Sequence, residues 1–372
     1  MKVLLLSNPD SSHTIKWVNG LASKGVEIYL LSLNPLDESQ VIDSQLIHYS
    51  NLGFSKKSVS RKPGSLNKIG YLRILPEIKK AIRYFEPDIV HAHYASSYGV
   101  LGACSAFHPF VLSVWGSDVY RFPGKSFLHR WLMQFSLRKA DWILSTSNAM
   151  VRSINKYTNK NIEVTPFGID TDVFKIDNSS EDSTDDSTIV IGTVKHLKKI
   201  YGIDILIKAF KIVVERNKTK TVKLLIAGDG PDRNRLEQLV DKLGISEKVE
   251  FTGYVSPVNI PFHLNRMNIF AALSIIDESF GVSVLEAGAC GLPVVGSDVP
   301  GFREIIKDHE TGYVIPRNNF DAAADVIDAL VNDRITSEQM GIQARKHVEK
   351  NYSLASSLDK MMKIYSEAIK EG

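Results

Sequence analysis

Short apolar runs alternate along this chain with amphipathic stretches of helical length. KVLLLS, VEIYLLSL, DIVHAHY, FVLSVWGS and WILSTS have the compact pattern of buried strands, and TIKWVNGLASKG and LRILPEIKKAIRYF between them carry apolar residues at helical spacing. Strands that are apolar throughout are buried on both faces, so this rhythm predicts βαβ units and a parallel sheet. It breaks at IDNSSEDSTDDST, residues 176–188, which is polar and acidic and predicts a surface loop or linker. The rhythm then restarts with IVIGTV, a helix over GIDILIKAFKIVVERN, the run KLLIAGDG, a helix over DRNRLEQLVDKLG, and the runs VEFTGYV, NIFAAL and PVVGSD. A last amphipathic helix spans SLASSLDKMMKIYSEAIKEG, with Leu354, Leu358, Met361, Met362, Tyr365 and Ala368 on its apolar side.

The expected fold class is therefore α/β, with two doubly wound, Rossmann-like domains over 1–175 and 189–352, the linker at 176–188 and a terminal helix at 353–372. A length of 372 residues suits two cores. Two domains imply a cleft. In doubly wound sheets ligands bind at the carboxyl ends of the strands, so chemistry is sought in the loops that follow strands.

Composition narrows the class. A hydrophobic fraction of 44% and a charged fraction of 23% exclude a disordered chain or a coiled coil. Cys104 and Cys290 sit among small and apolar residues, with no CxxC partner and no neighbouring histidine ligands, which predicts buried free thiols in a reducing compartment. In MKVLLLSNPDSS four apolar residues precede Ser7, too few for a signal-peptide core, so a first strand and a cytoplasmic protein are expected. The uncharged run from Tyr98 to Gly116 is cut by His108-Pro109, so it predicts a short helix and a buried strand, not a membrane span.

The net charge of +3 conceals an asymmetry. Residues 1–175 carry 21 Lys and Arg against 13 Asp and Glu, a net +8, and the remainder carries 24 against 29, a net −5. From Lys56 to Arg83 nine basic residues face one acid, Glu77. A basic half predicts an anionic partner. With no interleaved aromatics and no nucleic-acid motif in the run, an anionic membrane surface at the inner face is favoured over nucleic acid.

Candidate chemistry concentrates at ESFGVSVLEAGACGLPVVGSDVPG, residues 278–301. The spacing places Glu278 in a loop after a strand and Glu286 inside a helix that stops at Gly291, with Pro293 beyond. The loop Ser279, Phe280, Gly281 leads into Val282 and Ser283 at the helix N-terminus, where free backbone N–H groups and the helix dipole favour a phosphate. A helix-end carboxylate would account for Glu278 alone. Glu286, among Val284, Leu285, Ala287 and Ala289, needs a partner, and a ligand hydroxyl pair supplies one.

These residues, with DHETGYVI after them, resemble the Glu-x7-Glu signature of glycosyltransferase family 4, retaining enzymes with the GT-B fold. The likeness runs through EPDIVHAHYASSYGV, VLSVWGSD, VTPFGIDTDVF, IGTVKHLKKIYGIDILIKAF and LLIAGDGP, in that order along the whole chain. The resemblance implies that Glu278 contacts hydroxyls of a donor sugar and that Ser279 to Ser283 hold sugar and distal phosphate through backbone amides. Glu286 would then bind the ribose hydroxyls, with Gly228 and the Gly253, Tyr254, Val255 turn beside the base. It also implies a sugar moved from a nucleoside diphosphate, uridine favoured, to a glycan or lipid-linked hydroxyl, with no metal or cofactor.

Two departures from the family pattern stand out. The family shows an Arg and then a Lys directly before a Gly after the first strand of the second domain; here the loop is VKHLKKIYG, with Tyr201 at the Lys place and Lys195 or His196 near the Arg place. Lys195 and one of Lys198 or Lys199 are expected to supply the charge that a leaving diphosphate needs. Where many relatives have a His in the first domain stands Trp115, which cannot take a proton, so it is expected to stack on a sugar or line the acceptor side with Ser117, leaving Asp118 as the polar candidate. His13 opens the first helix, near the place the resemblance gives the reacting phosphate. His91 and His93 are assigned to alternate faces of their strand, so one at most reaches the cleft, and His93 is preferred. With no third ligand at a suitable spacing, the pair is not expected to bind a metal. AGDGP lacks the remaining elements of a dinucleotide fingerprint. The alternatives are a sugar-nucleotide epimerase of similar shape and a non-catalytic sugar-nucleotide-binding subunit.

Overall fold

A computed structural model describes residues 1–36, 42, 44–52, 73–177 and 188–372. The basic run before residue 73 and residues 178–187 of the expected linker lie outside the described residues. The chain divides into two units, Met1–Phe167 with Leu354–Gly372, and Gly168–Ser353.

In the first unit, seven described strands form one parallel sheet: β1 (Lys2–Leu6), β2 (Glu27–Ser32), β3 (Ile47–Asn51), β4 (Ile89–His93), β5 (Phe110–Val114), β6 (Trp142–Ser145) and β7 (Ile162–Val164). Their order is β3-β2-β1-β4-β5-β6-β7. All five residues of β4 and all five of β5 are buried, which is why both read as unbroken apolar runs. The edge strands β3 and β7 are half-exposed, so no such run marks them in the sequence. The Tyr98–Gly116 stretch forms a helix over Tyr98–Ser105 and then β5, and no helix among the described residues is long and apolar enough to cross a membrane. Cys104 is only partly buried, a correction to its expected burial, because the short helix that carries it covers the sheet with its other side; Cys290 is buried and both thiols are free.

The Leu354–Glu371 helix completes this first unit. It packs on the Ser12–Ser23 helix and on β4, with the Leu358 side chain 2.8 Å from where a Cβ on Gly20 would stand. Tyr365 is fully buried and its hydroxyl lies 2.6 Å from His91 Nδ1, while Ser113 Oγ lies 2.8 Å from His91 Nε2. Both nitrogens of a buried imidazole are thereby satisfied. The assignment of His91 and His93 to alternate faces is overturned: strand residues two apart share a face, and the two rings stand 4.8 Å apart.

The second unit has six described strands, all parallel: β8 (Thr188–Val194), β9 (Thr221–Ala227), β10 (Val249–Gly253), β11 (Ile269–Ala272), β12 (Val294–Ser297) and β13 (Gly312–Ile315). The order β10-β9-β8-β11-β12-β13 reverses direction between β8 and β11, the switch point of a doubly wound sheet. There β8 pairs with β9 from Thr188 to Val194 but with β11 only through Ile191 and Gly192. Gly192 is tight because the Met267 sulfur would lie 2.4 Å from a Cβ there. Beyond Gly192 and Phe270 the two strands no longer pair.

The unit boundary falls earlier than the expected 175. Ile169 forms a bridge with Ser353 and its N–H donates to the Tyr352 carbonyl at 2.8 Å, while Arg345 donates to the carbonyls of Thr171 and Phe174. Residues after 168 are thus fastened to the Arg334–Tyr352 helix of the second unit.

Burial pushes the His91 pKa down to about 3 and holds His93 well below the ordinary histidine range. Both folded values lie under the unfolded value, so the unfolded chain takes up protons first and stability falls as pH drops from about 6.5 towards 3. Each histidine contributes a slope of roughly 1.4 kcal/mol per pH unit. Trp17, Trp115, Trp131 and Trp142 all belong to the first unit, so urea unfolding followed by tryptophan fluorescence reads that unit alone. The midpoint is expected to fall between pH 6.5 and 4.5, and a His91→Gln variant, less stable at pH 7.5, is expected to show a shallower fall.

Candidate active site

The ends of β8, β9 and β10 are held together by backbone. Lys195 N–H donates to the Ala227 carbonyl at 3.0 Å, and Gly228 N–H donates to the Gly253 carbonyl at 3.0 Å. Gly228 sits at φ +140° with the Lys195 carbonyl oxygen 2.0 Å from where a Cβ would be, a place only glycine can occupy. The loop then turns through Lys199–Tyr201 to Gly202, at φ +65°, whose missing Cβ would stand 1.9 Å from the Leu273 carbonyl oxygen. Ile275 N–H donates to the Ile200 carbonyl at 3.0 Å. In this way the loop after β8 and the loop after β11 are joined across the switch point.

That junction brings Lys195 to Glu278. The ammonium lies 3.0 Å from Glu278 Oε1, with side chains 19% and 17% exposed, so the pair is shielded from most of the solvent that weakens surface ion pairs. Ser274 Oγ donates to the same carboxylate oxygen at 2.7 Å, and Ser297 Oγ donates to the Ser274 carbonyl at 2.6 Å. The Lys195 ammonium also stands 4.6 Å from the centroid of the Tyr201 ring. Of the three expected lysines, Lys195 is the one against Glu278; Lys198, Lys199 and His196 are exposed on the loop.

The Val282–Ala289 helix starts from Gly281 at φ +103°, where a Cβ would meet the Phe302 ring at 2.8 Å. No side chain caps this helix N-terminus, and Ser283 Oγ is buried with no hydrogen-bond partner among the described residues. The loop before it is pinned by Gly301, whose Cβ would stand 2.6 Å from the Glu278 carbonyl oxygen and 2.9 Å from the Phe280 nitrogen. Phe280 is 1% exposed and packs edge-on against Tyr352, so its side chain is core and only its backbone reaches the loop. Ser279 and Val282 are half-buried. Glu286 is half-buried one helical turn before Cys290, whose thiol is pushed up to about 12 by burial and then by the Glu286 charge. Gly253 has φ +77° with Arg233 Nη1 3.0 Å from its missing Cβ, Tyr254 is exposed and Val255 is half-buried. Ser274 and Arg233 went unmarked in the sequence. The four-residue spacing of Ser274 to Glu278 was the available signal for the first, and none existed for the second.

The first unit gathers a different set. His93 Nδ1 lies 2.7 Å from Ser7 Oγ, which lies 2.8 Å from Thr14 Oγ1, and the His93 ring stands 4.1 Å from Trp115. His13 stacks on Phe167 at 4.1 Å and meets Trp115 edge-on at 6.2 Å; burial and then the Lys16 charge push its pKa down to about 3. Two expectations are corrected here. Trp115 is only 7% exposed, ringed by His13, His93, Tyr94 and Phe167, so its face is taken by packing and is not open to stack on a sugar. Asp118 is 1% exposed and accepts backbone N–H groups of Ala95 at 2.8 Å, Gly116 at 2.8 Å and Trp115 at 3.3 Å. Its oxygens are used to hold two loops, and at 1% exposure the carboxylate is not open to an acceptor hydroxyl. Ser117 is exposed beside it.

Among the described residues no group of His, Cys, Asp and Glu is placed to hold a metal ion. Residues 175–347 match the family model for glycosyl transferases group 1, and residues 2–147 match that for glycosyl transferase 4-like proteins. The chain belongs to this glycosyltransferase family. Two Rossmann-like units in one chain are its GT-B fold. This glycosyltransferase is 27% identical to N-acetyl-alpha-D-glucosaminyl L-malate synthase of Bacillus anthracis, over 76% of either chain. It is 30% identical to the capsular polysaccharide biosynthesis glycosyltransferase CapM of Staphylococcus aureus, over 55% of this chain and 54% of CapM. In fold it is similar to Alr3699/HepE of Anabaena in complex with UDP, with a TM-score of 0.82, 18% identity, and 99% of this chain and 100% of that one covered.

Two glycines separate crowding from backbone strain. Gly244 has φ +66° with nothing within 4 Å of its Cβ position, so Gly244→Ala is expected to cost about 1 kcal/mol for the left-handed conformation alone. Gly202→Ala at a similar φ must also move the Leu273 carbonyl, and is expected to lower the thermal midpoint of this glycosyltransferase by several degrees more, measured by circular dichroism.

Proposed function

We propose that this glycosyltransferase moves a sugar, with retention at the anomeric carbon, from a nucleoside-diphosphate donor to a hydroxyl of a glycan or lipid-linked acceptor. The observation that carries the proposal is the pairing of a shielded carboxylate, Glu278, with a helix N-terminus and a Ser283 Oγ that have no side-chain cap and no hydrogen-bond partner among the described residues, at the switch point of the second sheet. A sugar presents hydroxyls to the first and a diphosphate presents charge to the second. The UDP held by the Anabaena protein of the same fold supports uridine as the base. CapM, a capsular polysaccharide enzyme, supports a cell-surface glycan as product.

In this proposal Glu278 positions the donor sugar and Glu286 takes the ribose hydroxyls, with Gly228 and Gly253 leaving room for the base. Lys195 stabilises the departing phosphate as the glycosidic bond breaks, and Lys198 or Lys199 adds charge from the exposed side of the loop. The acceptor is taken by the first unit. The departing phosphate oxygen helps to remove the proton of the incoming hydroxyl on the same face of the sugar, so no protein nucleophile is needed, and no resident metal or cofactor enters. The protein works in the cytoplasm, peripherally at the inner face of the plasma membrane.

Thermal-shift titration with UDP, GDP and ADP is expected to raise the midpoint most with UDP. No shift with any of the three would remove the donor assignment. Incubation with single nucleotide sugars, with and without acceptor, separates transfer or slow hydrolysis from epimerisation and from simple binding. Glu278→Ala is expected to lower kcat by about 10²-fold, and Glu286→Ala to raise the donor KM roughly tenfold with a smaller change in kcat. Identical kinetic effects of the two changes would contradict the division of roles.

A further inference from the structure

The Phe127–Lys139 helix of the first unit turns an unusual face to solvent. Its buried residues, His129, Met133, Ser136 and Leu137, lie on one side at helical spacing. The opposite side carries Phe127, Trp131 and Phe135 at intervals of four, and Phe127 is 84% and Trp131 45% exposed. Trp131 stacks on Phe135 at 5.6 Å, so the aromatics form one continuous strip. Large exposed aromatics in a row mark an interaction surface.

The charge around the strip is of one sign. From Val119 to Ala140 the chain has Arg121, Lys125, Arg130, Arg138 and Lys139 and no Asp or Glu, and all five basic residues are exposed. The Leu75–Phe85 helix lies in the same layer, since both helices pack on the Tyr98–Ser105 helix between them, and it adds exposed Lys79, Lys80 and Arg83 beside exposed Tyr84. A helix with Trp and Phe on its outer face, ringed by Lys and Arg and lacking acids, complements an interface of apolar chains and anionic headgroups.

We infer that the Phe127–Lys139 face is the surface by which this protein docks on an anionic lipid bilayer, Phe127 and Trp131 entering the headgroup layer and the surrounding basic residues meeting lipid phosphates. This centres the membrane contact on the Phe127–Lys139 helix and takes from the Lys56 to Arg83 run only Lys79, Lys80 and Arg83, and it does not rest on the donor chemistry proposed above.

The test is sedimentation of the full chain with vesicles of phosphatidylcholine alone and of phosphatidylcholine with one-third phosphatidylglycerol. Binding is expected only to the anionic vesicles, weakening as salt is raised, with lipids brominated near the headgroup quenching the Trp131 emission. A Phe127→Ser, Trp131→Ser double variant is expected to lose at least tenfold in vesicle affinity, and Phe127→Ser alone, at a position 84% exposed, to lose affinity while keeping its urea midpoint. Lys125→Gln and Arg138→Gln are each expected to lose about fivefold, the factor that ~1 kcal/mol per surface charge corresponds to. Equal binding to both vesicle types, or binding unchanged in the double variant, overturns the inference. So does a concentration-dependent dimer abolished by the double variant without vesicle binding, which would make the strip a contact between copies. The UDP thermal shift, measured on the same variants, is expected to be unchanged, so a failure here and a failure of the donor assignment are told apart.

Discussion

In the second unit everything that surrounds Glu278 depends on the point where β8 and β11 stop pairing. A parallel strand buried on both faces offers chemistry only at its ends, and neighbouring strands that stayed paired to the end would leave no room between their loops. Here the ladder stops at Gly192 and Phe270, and the loops beyond are rejoined by a single backbone bond, Ile275 to Ile200. The rejoining tolerates no side chain at Gly202 or Gly301, because carbonyl oxygens already occupy the space. Those contacts hold the loop that carries Lys195 against the loop that carries Glu278.

Lys195 is held from two sides by unlike forces. Glu278 and Ser274 form a polar cluster on one side, and the Tyr201 ring presents its negative face on the other. The residue that departs from the family pattern is therefore not a gap in the site. A ring there gives up one formal charge and sets an aromatic face 4.6 Å from the remaining cation. The loop still carries exposed Lys198 and Lys199, so its outer side stays positive.

The two parallel sheets and their central strands were legible because strands buried on two faces must be apolar throughout. The edge strands β3 and β7 were not, since half-exposed strands of three to five residues leave no run to see. The loop and helix start of the candidate site were legible where glycine spacing and carboxylates coincide, around Glu278 and Gly281. It was not legible where function depends on what a side chain meets in space. Asp118 looked like a free acid and is consumed by three amides, and Trp115 looked like a platform and is enclosed by rings. Ser274 carries no motif, yet it shares an oxygen of Glu278 with Lys195. The strip on the Phe127–Lys139 helix was hidden for a related reason: which of its aromatics face outward is set by the side that packs on the core.

The Tyr365 hydroxyl that satisfies His91 comes from a residue 274 positions further along the chain. Between them in the sequence lies the whole of the second unit. During synthesis the second unit has all its strands in hand before the helix that completes the first has been made, so the unit that starts first is finished last. Until then β4 carries a buried-type imidazole without its partner and the groove beside the Ser12–Ser23 helix stays uncovered, an apolar surface of the kind chaperones bind. Lesions in the last helix would accordingly be felt in the yield of folded protein more than in the chemistry of the molecules that do fold.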